Sequence, residues 1–132
     1  MMAVDTNVIV RFLVRDDEKQ ARAVYERLKQ AELKRESLFV PLLVLLETIW
    51  VLESAYDKSR AEVLDAIEDL RRMPVFKFEN DEAVGRLVSD GRSCRADLAD
   101  ILIAHAARSS GCEAGLTFDK AAAKLPFFQI LQ

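Results

Sequence analysis

The chain has 132 residues, of which 51% are hydrophobic, and its formal net charge at pH 7 is −3. This length favours a single domain over residues 1–132, and the hydrophobic fraction excludes an intrinsically disordered chain. The acidic balance is atypical of proteins that coat nucleic acids. It is compatible with an enzyme that meets phosphates through a metal ion and a few cations.

Membrane insertion and secretion are both disfavoured by the sequence. The longest apolar run, from Leu38 to Leu46, is followed by Glu47 and is far shorter than the roughly 20 residues of a membrane span. The N-terminal residues lack the pattern of a secretory signal. We therefore expect a cytoplasmic protein with no membrane association, in which Cys94 and Cys112 are reduced thiols.

Short apolar strands alternate with helices along the chain. The predicted strands are residues 3–4, 38–40, 75–78, 115–118 and 127–131. Helices are predicted from residue 8 onward, from 16 to about 33, and over 42–56, 59–72, 81–90 and 96 or 97 to about 111, with a loop at 91–95. This alternation predicts an α/β fold, with a parallel sheet covered by helices on both faces.

Asp5 is the first candidate site residue, because it follows the first predicted strand. Ligands of α/β sheets bind at the carboxyl ends of strands, which would place Asp5 well for a metal ion. An Asp at a helix start is also a common N-cap, and this segment alone favours neither role. Thr6 and Asn7 suit the same junction, because their side-chain oxygens can satisfy free N–H groups at a helix start.

Glu47 is the only acid in the apolar segment 42–52. An ionised carboxylate among apolar side chains costs several kcal/mol unless it is paired or bound to a metal. The pattern therefore favours a site residue, and an ion pair with a nearby Arg is the structural alternative.

Two further acids, Asp97 and Asp100, lie three residues apart, so a helix places them on one face. Asp97 is well placed for a plain helix cap, whereas Asp100 lies inside an otherwise apolar helix. His105 shares its face with Leu and Ile side chains, which predicts a histidine of the core rather than a catalytic one.

Asp119 follows a predicted strand, as Asp5 does, and Thr117 either orients a carboxylate or simply belongs to that strand. Several carboxylates at one sheet edge would repel one another, and at least one pKa would rise unless a cation were bound. Oxygen ligands of this kind suit Mg²⁺ or Mn²⁺.

Four segments together resemble PIN-domain ribonucleases of the VapC toxin type. They are Asp5-Thr6-Asn7, the apolar helix with Glu47, the segment 96–104 with Asp97 and Asp100, and Thr117-Phe118-Asp119-Lys120. The resemblance implies a three-layer α/β/α sandwich with a small parallel sheet of four to five strands. It also implies metal-dependent endonucleolytic cleavage of RNA and inhibition by a cognate antitoxin protein.

The resemblance assigns roles by position. The catalytic acids it implies are Asp5, Glu47, Asp97, Asp100 and Asp119. Of these, Asp5, Asp100 and Asp119 would bind Mg²⁺ or Mn²⁺. The residues expected to bind RNA are Thr6, Asn7, Arg11, Arg95, Thr117 and Lys120, with Arg92 a further candidate. For each cation taken singly, a solvated surface charge or an ion pair with the acids is an equal alternative.

The apolar third helix, with Trp50 and Tyr56 near its end, predicts an interface for a homodimer or for the antitoxin. Two alternatives to a nuclease stay open. A receiver-like signalling module would need an acid at the end of a central strand, but the middle strands end at Pro41 and near residues 79–81. The other is a PIN fold that binds RNA or protein without cleaving.

Overall fold

The computed structural model describes residues 1–132, and the chain divides into two compact units, Met1–Glu79 and Asn80–Gln132. The first unit contains three strands and four helices, and the second contains two helices, two strands and a 3₁₀ turn. No helix is both long enough and apolar enough to cross a membrane.

The first unit is built around a parallel three-stranded sheet. Its elements are β1 (Met2–Ala3), α1 (Thr6–Leu13), α2 (Glu18–Leu33), β2 (Leu38–Val40), α3 (Leu42–Ser54), α4 (Arg60–Arg72) and β3 (Phe76–Phe78). The strand order is β1-β2-β3, with Met2 opposite Leu38 and Leu38 opposite Phe76. Parallel neighbours need crossover connections, which α1 with α2 and α3 with α4 provide.

The second unit combines a helix pair with a parallel pair of strands. Its elements are α5 (Asp81–Ser93), α6 (Leu98–Ser109), β4 (Gly115–Thr117), the 3₁₀ turn (Ala122–Lys124) and β5 (Phe128–Ile130). The helices pack against each other, and β4 pairs with β5 from Gly115 opposite Phe128. A Cβ at Gly115 would lie 2.8 Å from ring atoms of Phe127 and Phe128, so glycine permits this close approach.

Both units bury apolar side chains almost completely. The largest fully buried ones in the first unit include Ile9, Leu45, Ile49, Leu64, Ile67 and Leu70, and those in the second are Leu87, Leu98 and Ile101. Removing such surfaces from water, at about 25 cal/mol per Å², is the main favourable contribution to folding.

Side-chain caps define where the helices begin. Asp17 accepts the backbone N–H of Gln20 at 3.0 Å and starts α2. Ser59 and Glu62 form the predicted capping box of α4, in which each satisfies a backbone N–H of the other. Asn80 caps α5 from a left-handed backbone conformation at φ 56°, which Asn tolerates better than most residues. The local signals of the sequence thus set these boundaries.

The α/β class and the parallel pairing of strands are confirmed, but several details differ from prediction. The five strands are divided between sheets of three and two. Helix α1 begins at Thr6, earlier than predicted, because Asp5 caps it. Helix α5 continues to Ser93 through buried Gly91, where a loop was predicted, so packing outweighs the low helix propensity of glycine.

Candidate active site

The first unit contributes Asp5, Thr6 and Glu47. Asp5 is exposed, has an extended backbone, and accepts the Val8 N–H through Oδ1 at 3.1 Å. It is therefore the N-cap of α1, which was one of its two predicted roles. The cap occupies one carboxylate oxygen and leaves Oδ2 for a further ligand, so the two roles are compatible.

Glu47 is joined to the same helix start by a side-chain hydrogen bond. The Thr6 hydroxyl donates to Glu47 Oε1, across 41 residues of sequence. The predicted capping role of Thr6 is wrong, because Asp5 provides the cap and the Thr6 hydroxyl contacts Glu47 instead. Asn7 follows on α1 and is exposed.

The prediction that Glu47 is a carboxylate surrounded by apolar side chains is also wrong. Its side chain is exposed, on the same side of α3 as Leu43 and Trp50, which are 78% and 66% exposed. The buried side of α3 carries Leu45, Ile49 and others instead. Glu47 thus avoids the desolvation penalty of a buried carboxylate, and its proximity to Asp5 through Thr6 is the structural reason to retain it as a candidate.

The second unit contributes Asp97, Asp100 and Asp119. Asp97 is the N-cap of α6 and accepts the Ala99 N–H at 3.4 Å, as the structural alternative predicted. Asp100 follows in the first turn of the helix. Burial raises the pKa of Asp100, and the negative charges of Asp97 and Asp119 raise it further. The ionised form of Asp100 is therefore disfavoured both by burial and by two neighbouring carboxylates.

Thr117 positions the turn that carries Asp119. Its Oγ1 accepts the Asp119 backbone N–H at 3.0 Å, and Asp119 Oδ1 accepts the Ala121 N–H at 2.8 Å. Thr117 thus orients the backbone of Asp119 rather than a carboxylate. One carboxylate oxygen of Asp119 orders the turn, and the other is available to a ligand.

His105 is a core residue, as predicted, with 6% of its surface exposed. Its Nε2 lies 2.6 Å from Asp90 Oδ2, and this contact ties α6 to α5. Its Nδ1 is buried without a hydrogen-bond partner. Sequence reasoning missed the Asp90 partner, because the two residues lie 15 positions apart and no local pattern joins them. Cys94 and Cys112 are free thiols.

Arg11 has partners within the protein. Its guanidinium donates to Asp16 at 2.9 Å, to the Tyr56 hydroxyl at 3.0 Å and to Gln20 at 2.7 Å. The Tyr56 hydrogen bond, followed by the charge of Asp16, raises the pKa of Arg11 against the opposing effect of burial. Arg11 is therefore engaged in structure rather than free for RNA, whereas Arg95 and Lys120 are exposed.

Within neither unit does the structure arrange three or more Asp, Glu, His or Cys side chains as a metal-ligand group. Asp5 and Glu47 lie in the first unit and the other acids in the second, so their convergence stays a prediction. The donor chemistry nevertheless fits Mg²⁺ or Mn²⁺. Both are hard cations, and Mg²⁺ usually keeps several waters and takes only one or two carboxylates. A cation would also relieve the repulsion felt by Asp100.

The model of the PIN domain family matches residues 2–128 of the chain. Because this match covers nearly all of the sequence, the chain belongs to the PIN domain family, and a receiver-like module is set aside. The chain is also similar to a VapC ribonuclease from Aquifex aeolicus (strain VF5). The two are 24% identical over 127 residues, which cover 96% of this chain and 93% of that protein.

Proposed function

We propose that this protein is a divalent-metal-dependent endoribonuclease and the toxin of a VapBC-type toxin–antitoxin pair. The observation that carries the proposal is the environment of Asp100 in the second unit, where burial and the negative charges of Asp97 and Asp119 disfavour its ionised form. A partly buried carboxylate beside like charges destabilises the fold when it is ionised, and a bound cation lowers that cost. Membership of the PIN domain family and similarity to a VapC ribonuclease support the same activity.

Asp5, Asp100 and Asp119 would hold Mg²⁺ or Mn²⁺. When bound, such an ion lowers the pKa of a coordinated water and stabilises negative charge on a phosphate. Asp5 and Asp119 each use one carboxylate oxygen for a backbone N–H, which fixes the orientation of the other oxygen. This rigidity favours ligand binding because less side-chain freedom is lost.

Glu47 and Thr6 act as a pair in this proposal. The Thr6 hydroxyl donates to Oε1 of Glu47 and leaves Oε2 to accept a proton from water or to orient it. Asp97 acts mainly through α6, since its carboxylate caps the helix on which Asp100 lies. We therefore expect a smaller effect on cleavage from Asp97 than from Asp100.

RNA is the proposed substrate, and single exposed polar groups would meet its phosphates. Arg95 and Lys120 lie within two residues of Asp97 and Asp119, where contacts to phosphate oxygens would position the strand. Asn7 is exposed on α1 and suits the same role, and Thr117 acts indirectly by fixing the Asp119 turn. Arg11 is not among the proposed RNA contacts, because its guanidinium already donates to Asp16 and to its other partners.

Protein partners are proposed for the exposed side of α3. Leu43 and Trp50 lie on this side with most of their surfaces in solvent, which favours association through an apolar patch. An antitoxin helix or a second copy of the chain would cover them. Tyr56, predicted for the same interface, donates instead to Asp16 at 2.8 Å. We also propose that residues 1–132 act as one nuclease domain in the cytoplasm, where the protein would encounter its RNA substrate.

The test is cleavage of a labelled single-stranded RNA by the purified protein. We expect cutting with Mg²⁺ or Mn²⁺ and none with excess EDTA, and Asp69→Asn serves as a matched control because Asp69 is an exposed acid of α4. Tight binding of RNA without cutting at any metal concentration would instead favour the alternative of a PIN fold that binds without cleaving. Cutting that persists in EDTA would refute the metal-dependent mechanism.

A further inference from the structure

Phe118 is a large aromatic side chain that the fold leaves in solvent. It lies between Thr117 and Asp119, and 78% of its surface is exposed. The aromatic pairs of the structure join Phe12 to Tyr25 and Phe76, and Phe127 to Phe128. Both cation–π contacts go to other rings. Folding therefore gives no reason for an aromatic ring at position 118.

The backbone that carries this ring is well ordered. The Asp119 N–H donates to Thr117 Oγ1, and the Asp119 carbonyl accepts the Ala123 N–H at 3.0 Å. On the other side, the Leu131 N–H donates to the Thr117 carbonyl at 2.7 Å. Phe118 is thus fixed between two hydrogen-bonded residues, so little backbone entropy would be lost when the ring contacts a ligand.

Phe118 also directly precedes a charged residue of the candidate site. Its Cα is one peptide unit, about 3.8 Å, from that of Asp119. The negative charge of Asp119 contributes to the raised pKa of Asp100, so the turn lies within electrostatic range of that carboxylate. Exposed Lys120 follows. An apolar planar face suits a flat ring, and an exposed cation suits a phosphate. A nucleotide carries both groups.

We propose that Phe118 stacks on an unpaired base of the RNA strand whose phosphate is cut at the acids. This inference rests on the proposed ribonuclease function and adds to it a residue that contacts the base of the substrate. Base–aromatic stacking tolerates any base but needs an accessible base face. Paired bases in an RNA helix are already stacked, so the proposal selects single-stranded segments and loops.

Steady-state cleavage of two RNAs tests this role. The substrates are a fluorescein-labelled 20-nucleotide RNA without self-complementarity and the same strand in a duplex, both with Mg²⁺. Phe118→Leu keeps an apolar side chain but removes the ring, and it should raise KM for the single strand roughly tenfold or more, with kcat within about twofold. Phe118→Tyr and Phe118→Trp should restore KM. Leu33→Ala, which truncates another highly exposed apolar side chain, on α2, should change neither constant.

Single-strand RNAs that carry one abasic residue locate the stacked base. Wild type should lose affinity at one abasic position near the cut, and Phe118→Leu should show no further loss there. In addition, Phe118→Trp in a Trp50→Phe background should show quenched emission when the RNA is added, which reports binding independently of cleavage.

The outcomes separate this inference from the proposed function. If wild type cuts RNA and Phe118→Leu has the same KM, the stacking role is wrong and the nuclease stands. An altered molar mass of Phe118→Leu in light scattering, with unchanged KM, would make Phe118 a protein contact and would also overturn the proposal. If wild type neither binds nor cuts either RNA, both proposals fail together.

Discussion

Asp5 is expected to have two separable roles, a helix cap and a metal ligand, and a pair of substitutions distinguishes them. Asp5→Ala removes the oxygen that accepts the Val8 N–H at 3.1 Å. Loss of an N-cap acceptor costs about 1 kcal/mol, whereas Asn caps nearly as well as Asp. For a domain of this size, 1 kcal/mol corresponds to a melting temperature lower by about 3–5 °C. Asp5→Asn should therefore melt close to wild type and Asp5→Ala below it.

Cleavage should follow a different order from stability. Both Asp5 variants should lose nearly all RNA cleavage, because a neutral amide or a methyl group is a poor ligand for a hard cation. Asp17 is a matched control, since it caps α2 through Gln20 at 3.0 Å without lying in the site. Asp17→Ala should lose similar stability and keep its activity. Equal melting temperatures for Asp5→Ala and Asp5→Asn would refute the cap, and an active Asp5→Asn would refute the ligand role.

Three further predictions concern charge, the core and the partner surface. Burial and neighbouring carboxylates raise the pKa of Asp100, so its ionised form destabilises the fold above that pKa. Asp100→Asn should therefore raise the free energy of unfolding measured in urea at pH 7. This gain in stability should be lost as the pH falls through the raised pKa towards 3.8. A loss of stability at pH 7 would contradict this sign. His105→Gln should lower the unfolding free energy by about 1–3 kcal/mol and leave turnover nearly intact. Lost turnover at unchanged stability would instead make His105 a catalytic residue. Leu43→Glu combined with Trp50→Glu should reduce self-association or antitoxin binding in light scattering, whereas Leu33→Glu should not. If both variants associate as wild type does, the exposed side of α3 is not the interface.

Local signals in the sequence predicted much of the secondary structure. The Ser59 and Glu62 capping box and the Asn80 cap each depend on residues three positions apart, and the structure confirms them. The buried face of α6, which includes His105, followed from helical periodicity in the same way. The four resembling segments correctly indicated the PIN domain family. The caps and the buried helix face depend only on residues close in sequence, so they can be predicted without the tertiary structure.

Features that depend on distant residues were predicted less well. The exposure of Glu47 was missed because an apolar helix does not indicate which of its sides the rest of the fold covers. The Thr6–Glu47 hydrogen bond spans 41 residues and the His105–Asp90 contact spans 15, and neither leaves a local pattern. Arg11 was predicted to bind RNA because the sequence does not reveal its partners within the protein. One of them, Tyr56, lies 45 residues away along the chain.

If the acids act on RNA through a divalent cation, Asp100→Asn should lose RNA cleavage while it keeps its fold. Single-turnover cleavage of a labelled single-stranded RNA is measured with saturating Mg²⁺ or Mn²⁺ for wild type, Asp100→Asn and the control Asp69→Asn, with folding verified by a metal-free melt. A metal-binding Asp100 predicts that Asp100→Asn is folded and at least as stable as wild type, yet loses cleavage by roughly a hundredfold or more, while the control is unchanged. A destabilised Asp100→Asn that still cuts RNA at the wild-type rate would contradict both the site and the function.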